Sequence, residues 1–556
     1  KGLENKFIKE KDMKKIMKIC TFALAAATLC CTFAGCGGGG GNGSAGPTAT
    51  DNIIEFVYDG WSNLPIANSY DNNPYKKYVD ETYGFDFRVS LTPDFDNEVT
   101  KRFSSTKTRQ PDVVMYDIWN YTAMKSLYNQ GFFIEDYTPY LDSLPRYKSL
   151  FESNVAAKAK FTENGNLIAL TRPADQPVWM HKIRKDWVEK YADGKIPETV
   201  DELLEMAKKV KADSTIDSEK YLFTAAGNNK NIGDLKRFQF MFGDYEDWYV
   251  TKDKQVSHPI LDGTHEKFLN FCRTIWQEGY LYPNFYNQDW QQKKTALFHD
   301  GVGIDYYTPA IATEHILYNN NDEKQTDIWI NMPMPTDTVG VTRNAPTKAT
   351  FQKIFVINKD VVKNETKFAS LLKFLNDMLY PEDETARDDS TYMKMRWGVG
   401  IDNYTIGEGK EMEPVMRDGK DTGFVTYYYQ KNQKDHARPF NTATWDYGVL
   451  MSTTDDKVIE YSSATKYGNS AYNYIDLFNG ALEYHKTHSN FNYGEMLNIS
   501  SKIEGRLTDL VNEFEITYIM GTTKTTYAEF KAQWLQYGGE TAQKAAQSQF
   551  AAAGLL

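Results

Sequence analysis

Two hydrophobic periods alternate between Ile53 and Gly131, and that alternation constrains the fold of this 556-residue chain more than any other feature. Ile53 to Tyr58 is a short β-rich run, and Pro74 to Tyr83 carries Tyr75, Tyr78 and Val79 at helical spacing. Phe85 to Leu91 returns to period two, with Phe85, Phe87 and Val89 on one face. Asp96 to Ser105 predicts a helix. Pro111 to Asp117 (PDVVMYD) predicts a buried parallel strand, and Met124 to Gln130 a helix closed by Gly131. A β-α series of this kind implies an α/β fold with an open parallel sheet and right-handed crossovers. Such sheets bind ligands beyond the C-terminal ends of their strands. Trp61, Asp117 and Trp119 follow predicted strand ends and are placed for contact.

Further along, Thr199-Val200-Asp201-Glu202 is a capping box, in which hydroxyl and carboxylate satisfy each other's backbone donors. Leu203, Met206, Ala207 and Val210 then give the helix its buried stripe. Phe351 to Asn358 (FQKIFVIN) predicts a strand, with Asp360 as cap of a helix that buries Phe368, Leu371, Leu372, Leu375, Met378 and Leu379. Helices dominate the C-terminal part, one of them around Phe530 and Trp534, and there is no internal repeat. A chain of this length exceeds one ordinary core, so two domains are expected. The net charge of −12 argues against nucleic acid as a partner. Four of the five cysteines fall before residue 37, which leaves Cys272 alone in the folded body. It sits on an apolar helical stripe with Phe268, Phe271, Ile275 and Trp276, so inert core is its expected role.

Met13 to Cys36 joins a Lys14, Lys15, Lys18 head to an uncharged apolar run from Ile19 to Ala34 that ends in small residues. That is the pattern of a secretory signal. Phe33-Ala34-Gly35-Cys36 resembles the lipobox of bacterial lipoproteins, with Phe33 where leucine is usual. It implies cleavage before Cys36, whose thiol then carries a lipid and holds the protein on the extracellular side of the cell membrane. Lys1 to Asp12 precede the expected start at Met13. Gly37 to Pro47 buries too little to fold and reads as a flexible tether.

Several segments together resemble the extracellular solute-binding proteins (family 1) of ABC importers, in the large lipoprotein branch that binds oligosaccharides. They are the Cys36 anchor, PDVVMYD, NQGFFIEDYTPYL (Asn129 to Leu141) and IRKDWVEKY with IPETVDELLEMAKKV (Ile183 to Val210). TIWQEGYLYPNF (Thr274 to Phe285), GVGIDYYTPA (Gly301 to Ala310), FQKIFVINKD (Phe351 to Asp360) and MRWGVGIDN (Met395 to Asn403) follow in order. The resemblance implies a periplasmic-binding-protein-like type II fold: two α/β lobes with a hinge and a ligand cleft between them. The expected division is leader and signal peptide over 1–35 and tether over 36–51. A first lobe would be built from 52–172 with 350–444, and a second from 173–349 with 445–550. The chain would cross between lobes near Ala169 to Ala174, Ala345 to Thr350 and Thr442 to Trp445. The implied partners are an oligosaccharide, a membrane permease and the membrane through the anchor, with the protein itself a monomer. Relatives in this branch carry a calcium loop after the capped helix. Here Lys211 to Ser218 lacks the alternating oxygen ligands, central Gly and final Glu, so no calcium and no cofactor are expected.

Sugar rings offer apolar C–H faces and a belt of hydroxyls, which calls for flat aromatic rings and planar polar groups. Of the 11 Trp, Trp187, Trp276 and Trp534 lie on helical stripes and read as core. Trp61, Trp119, Trp179, Trp397 and Trp445 fall in loops or crossings, where ligand contact and plain packing both stand. Asp117 either accepts sugar hydroxyls or caps the next helix. Arg172 either bridges the cleft or is a solvated charge. Arg184 and Asp186 fall where packing and capping suffice, and Arg396 is a weaker candidate. Asp305 and Tyr306 follow a short apolar strand, Val302 to Ile304, and complete the binding set, with Tyr307 assigned to the core.

Catalytic patterns are wanting: there is no G-x-S-x-G, H-E-x-x-H or P-loop. His485 and His488 stand three apart with no third ligand in reach, so a solvated helix end is expected rather than a metal site. The expected function is therefore a non-enzymatic, lipid-anchored receptor that captures an oligosaccharide for an importer. A lipid-anchored glycoside hydrolase and a non-catalytic polysaccharide-binding surface protein are the alternatives, since two well-spaced carboxylates suffice for the former.

Overall fold

In the computed structural model the N-terminal alternation becomes three parallel strands. The structure describes residues 51–59, 74–92, 94–173, 178–213, 220–319, 323–346, 351–379, 390–397, 413–426, 458–459 and 468–556. Strand β1 (Ile53–Asp59) is followed by α1 (Pro74–Tyr83), β2 (Asp86–Thr92), α2 (Phe95–Ser104), β3 (Val113–Asp117) and α3 (Tyr121–Asn129). β1 pairs with β2 from Ile53↔Asp86 to Asp59↔Thr92, and with β3 at Phe56↔Val113 on its other edge. Every residue of β3 is buried, as a strand covered on both faces must be. Phe56 and Phe87 meet Phe374, from the later helix Glu365–Asp377, at 6.0 and 5.5 Å between ring centres, edge-on contacts that seat the sheet on that helix.

The chain then leaves this sheet through β4 (Leu170–Pro173) and enters a second one with β5 (Met180–Arg184). β5 is central there, flanked antiparallel by β6 (Ile304–Tyr307) and β7 (Trp329–Asn331). Strand β8 (Phe351–Ile357) returns to the first sheet and inserts between β3 and β4, antiparallel to both, giving the order β2-β1-β3-β8-β4. The first sheet is therefore mixed, not wholly parallel, because its late strand arrives from the other sheet. Asp305, Tyr306 and Tyr307 do not follow a strand but form one, drawn into the ladder by β5. Gly303 lies just before them, where a Cβ would stand 2.5 Å from the Trp187 ring.

The helices obey local chemistry. In α4 (Val200–Ala212) the Glu202 amide donates to the Thr199 hydroxyl at 3.2 Å and the Thr199 amide to the Glu202 carboxylate at 3.2 Å, closing the expected capping box. α5 (Thr264–Gln277) buries Cys272 completely, and burial pushes its thiol pKa well up. α6 (Trp290–Ala296) starts from a second capping box, Asp289 with Gln292. For α7 (Glu365–Asp377) the cap is Asn364, which accepts the Lys367 amide. Asp360 instead gives its own amide to Asn358, so the expected cap is corrected.

A hairpin of β9 (Glu413–Arg417) and β10 (Lys420–Thr426) packs on α8 (Gly468–Thr487), where Val415 and Phe424 join Val178, Met180, Ile475 and Phe478. These residues sit with a strand of the second sheet, although 350–444 was expected in the first lobe. His485, on the last turn of α8, is 6% exposed rather than solvated, and its Nε2 donates to the Trp179 carbonyl at 3.0 Å. α9 (Ser501–Ile519) and α10 (Tyr527–Trp534) stack Phe514 on Phe530 at 3.9 Å. Trp187 and Trp534 are buried, and Trp276 packs partly buried against the same core. No described helix is long and apolar enough to cross a membrane.

Asp112, fully buried at the start of β3, accepts the Glu55 amide at 2.9 Å, Lys367 Nζ at 2.9 Å and Arg109 Nη2 at 2.7 Å. Asp112→Ala should destabilise the protein by about 3–5 kcal/mol, because it deprives the buried Lys367 ammonium of its most buried partner. Urea unfolding measures this. A loss within about 0.5 kcal/mol would show that the cluster is no more than a surface contact.

Candidate functional site

Trp179 stands where the chain enters the second sheet, one residue before β5. Half-buried, it lies 5.5 Å from the Tyr306 ring and 6.4 Å from that of Trp290. Trp290 in turn stacks on Tyr307 at 5.3 Å with 14° between planes. The β5–β6 ladder sets these positions: Tyr306 is paired with His181 and Tyr307 with Met180, so alternation sends Tyr306 and Tyr307 to opposite faces. The Asp289–Gln292 box fixes Trp290 as the first residue of α6. Trp179 is held from behind by His485, whose Nε2 must carry the proton because a carbonyl only accepts. Trp179, just before β5, therefore has Tyr306 on one side and Trp290, stacked on Tyr307 of the other face, on its other side: a ledge of three partly exposed rings wrapped around the strand end, beside the passage from the first sheet to the second.

Charged groups brace the ledge in pairs. Lys293 is fully buried, reaches Asp305 at 2.9 Å and also Asp234, and stands 4.0 Å from the Trp290 ring centre. Burial pushes the Asp305 carboxyl up to about 7, with Lys293 opposing and Asp234 reinforcing the shift. Burial would also raise Asp234, but the charge and hydrogen bond of Lys293 hold it below its ordinary value. Arg237 Nη1 contacts both Glu246 oxygens at 2.5 and 2.6 Å, and its guanidinium lies 5.5 Å from the Tyr306 ring centre. His181 is fully buried against Phe238, and burial, then Lys182, lowers it to about 3, so it stays neutral. Burial pushes the Tyr306 phenol up to about 12, which keeps it a hydrogen-bond donor.

Flat half-exposed rings can cover the C–H faces of pyranoses, while the phenol and the Arg237–Glu246 pair both donate to and accept from hydroxyls. Among the described residues no three His, Cys, Asp or Glu side chains are grouped to hold a metal ion. After α4, Asp213 is engaged by Tyr191 and Lys190, and residues 214–218 of the compared calcium loop lie outside the described residues.

Of the expected binding residues, Trp179 and Tyr306 meet here, while Asp305, next to Tyr306 in β6, is sent by alternation to the opposite face, where it is 2% exposed and bound to Lys293. Asp117 lies on the other sheet, 4% exposed, with its carboxylate on Lys353 and no side-chain bond capping the turn Ile118–Asn120. The backbone of Trp119 lies in that turn, that of Arg172 in β4, and that of Trp397 at the end of the helix Thr391–Trp397. Trp61, Trp445 and Cys36 lie outside the described residues. Arg184 and Asp186 pair with each other at 2.7 Å. Trp290, Arg237, Glu246 and Lys293 were not expected; the Asp289-x-x-Gln292 box was the one local clue to Trp290. A cavity of about 560 Å³ lined by Trp329, Asn331 and Asn473 lies on the face opposite Tyr306, which is the face of Tyr307.

Asp305 is raised from 3.8 in the folded state, so the native protein holds an extra proton between about pH 4 and 7. Its contribution to stability is full below that window and lost as pH rises through it. Asp305→Asn mimics the protonated form and should remove this slope, gaining on the parent by up to about 1.4 kcal/mol per pH unit. Urea unfolding at stepped pH tests it, and a difference independent of pH would contradict the assignment.

No protein-family model matches the chain, and no curated protein matches its sequence. Solved structures do. An alginate-binding protein, AlgQ2, without calcium ion superposes with a TM-score of 0.64 at 16% identity, covering 90% of this chain and 99% of that one. An S. pneumoniae ABC-transporter substrate-binding protein, FusA, in complex with kestose gives 0.61 at 15% identity over 90% and 99%. An HMO-binding ABC-transporter-associated solute-binding protein from Bifidobacterium longum infantis gives 0.59 at 13% identity over 90% and 99%. The chain has the two-lobed α/β fold of ABC-transporter solute-binding proteins.

Proposed function

We propose that this protein is the extracellular solute receptor of an ABC importer, which captures an oligosaccharide between its lobes and delivers it to a membrane permease. The observation that carries this is the half-exposed Trp179–Tyr306–Trp290 ledge at the point where a chain of solute-receptor fold passes between its two sheets. The names of the similar structures add support, since they describe proteins that bind alginate, kestose and HMO. Binding would select a closed arrangement, and the permease would read that shape.

In this reading Trp179 and Tyr306 stack on the sugar, and Trp290 extends the platform. Asp305 acts one step back, holding Lys293 beneath Trp290, and Asp117 does the same for Lys353. Trp61, Trp119, Arg172, Trp397 and Trp445 are proposed contacts from the loops and crossings. The first lobe is built on β1 to β4 with β8, and the second on β5 to β7 with α8. The hairpin of β9 and β10 goes with the second lobe, because it packs on α8. Cys36 carries the lipid and Gly37 to Pro47 is the tether. The receptor releases its ligand unaltered.

Calorimetry of the protein against oligosaccharides should find at least one ligand, with no new reducing ends after incubation. Trp179→Ala and Tyr306→Ala should each weaken that ligand by about 1.5–3 kcal/mol, tenfold or more in Kd. Unchanged affinity in both variants would remove the ledge from the site, and silence across the panel would remove the receptor reading. Cys36→Ala should shift the protein out of the membrane fraction of expressing cells, and equal retention would remove the anchor.

A further inference from the structure

The two cations nearest the ledge rings, Arg237 and Lys293, are each matched by a carboxylate. Arg237 faces Glu246, and Lys293 faces both Asp234 and Asp305. The remaining polar groups, the Tyr306 phenol and the His181 imidazole, are neutral. Arg237 and Glu246 are about equally accessible, at 33% and 28%, so a ligand meets both ends of the pair together. The pair uses Nη1 alone, which leaves the Nε and Nη2 donors of the guanidinium beside two acceptor oxygens. Hydroxyls, which both donate and accept, fit such a mixed edge. A carboxylate fits less well: on the Nε and Nη2 donors it would meet a cation whose charge Glu246 already offsets, and beside the Glu246 oxygens it would meet like charge. The net charge of −12 adds a long-range repulsion of the same sign.

We propose that the Arg237–Glu246 pair makes this site select uncharged sugar chains over uronate-bearing ones. This rests on the receptor reading above and adds the charge class of its ligand. Glu246 is the residue that sets it, by occupying the one partly exposed guanidinium among the described ledge residues.

Calorimetry of the full chain at low ionic strength against tetrasaccharides of matched length tests it, using neutral glucose, galactose and mannose chains and their glucuronate, galacturonate and mannuronate counterparts. At least one neutral chain should bind tenfold or more tighter than any uronate chain. Glu246→Gln, which frees Arg237, should gain tenfold or more in uronate affinity. Arg237→Met combined with Glu246→Gln should lose that gain, which separates charge from misfolding. Uronate binding equal to or tighter than neutral binding in the parent, or no uronate gain in the single variant, would overturn the selectivity and leave the receptor reading standing. Silence toward both classes would overturn the receptor reading and the selectivity with it.

Discussion

Strand β8 reaches the first sheet only after the chain has built the second, and it is held between β3 and β4 by hydrogen-bonded ladders on both sides. Its register brings Lys353 opposite Asp117, and the two buried side chains pair there. A lysine so deeply placed needs that carboxylate, since an unmatched charge in the sheet would cost several kcal/mol. The consequence is architectural. With β8 locked in the middle, the chain must cross between sheets at least twice, once after β4 and once before β8. Two sheets joined by separate strands of backbone can move as bodies about those strands, which is the mechanical basis of closing on a ligand.

The same topology explains where the ledge lies. β5 is the first strand after the crossing and the centre of its sheet, so Trp179 stands at the crossing while β6 aligns Tyr306 beside it. Alternation gives one face of this small sheet to Tyr306 and His181 and the other to Tyr307, Lys182 and Asn331. Beside the ledge, Arg237 is offset by Glu246, and Lys293 by Asp234 and Asp305. A buried lysine shared by two carboxylates beneath Trp290 fixes that ring as a prop would, and makes its surroundings sensitive to pH near neutrality.

What could be read from the residues alone is what local chemistry decides. The three parallel strands follow from hydrophobic period, α4 from its Thr199–Glu202 box, and the core places of Trp187, Cys272 and Trp534 from helical stripes. What could not be read depends on partners distant in sequence. Nothing in FQKIFVIN tells that β8 runs antiparallel, because direction is set by the route back from the second sheet. Asp305 and Tyr306 look like a loop until β5 pairs with them. His485 looks solvated until its distance to the Trp179 carbonyl is known. Arg237 and Glu246 lie nine residues apart in a stretch without clear periodicity, and only the fold turns them toward Tyr306. The Asp360 cap failed for a smaller reason, since Asn358 and Asn364 on either side are equally good caps.

The proposed receptor grips sugar on the Trp179–Tyr306 side of the second sheet. A crystal structure with a bound oligosaccharide tests this most directly. A pyranose face over the Trp179 or Tyr306 ring, with hydroxyls on Arg237 and Glu246, is the expected result. A sugar seated instead in the cavity of Trp329, Asn331 and Asn473, on the opposite face of that sheet, would contradict it.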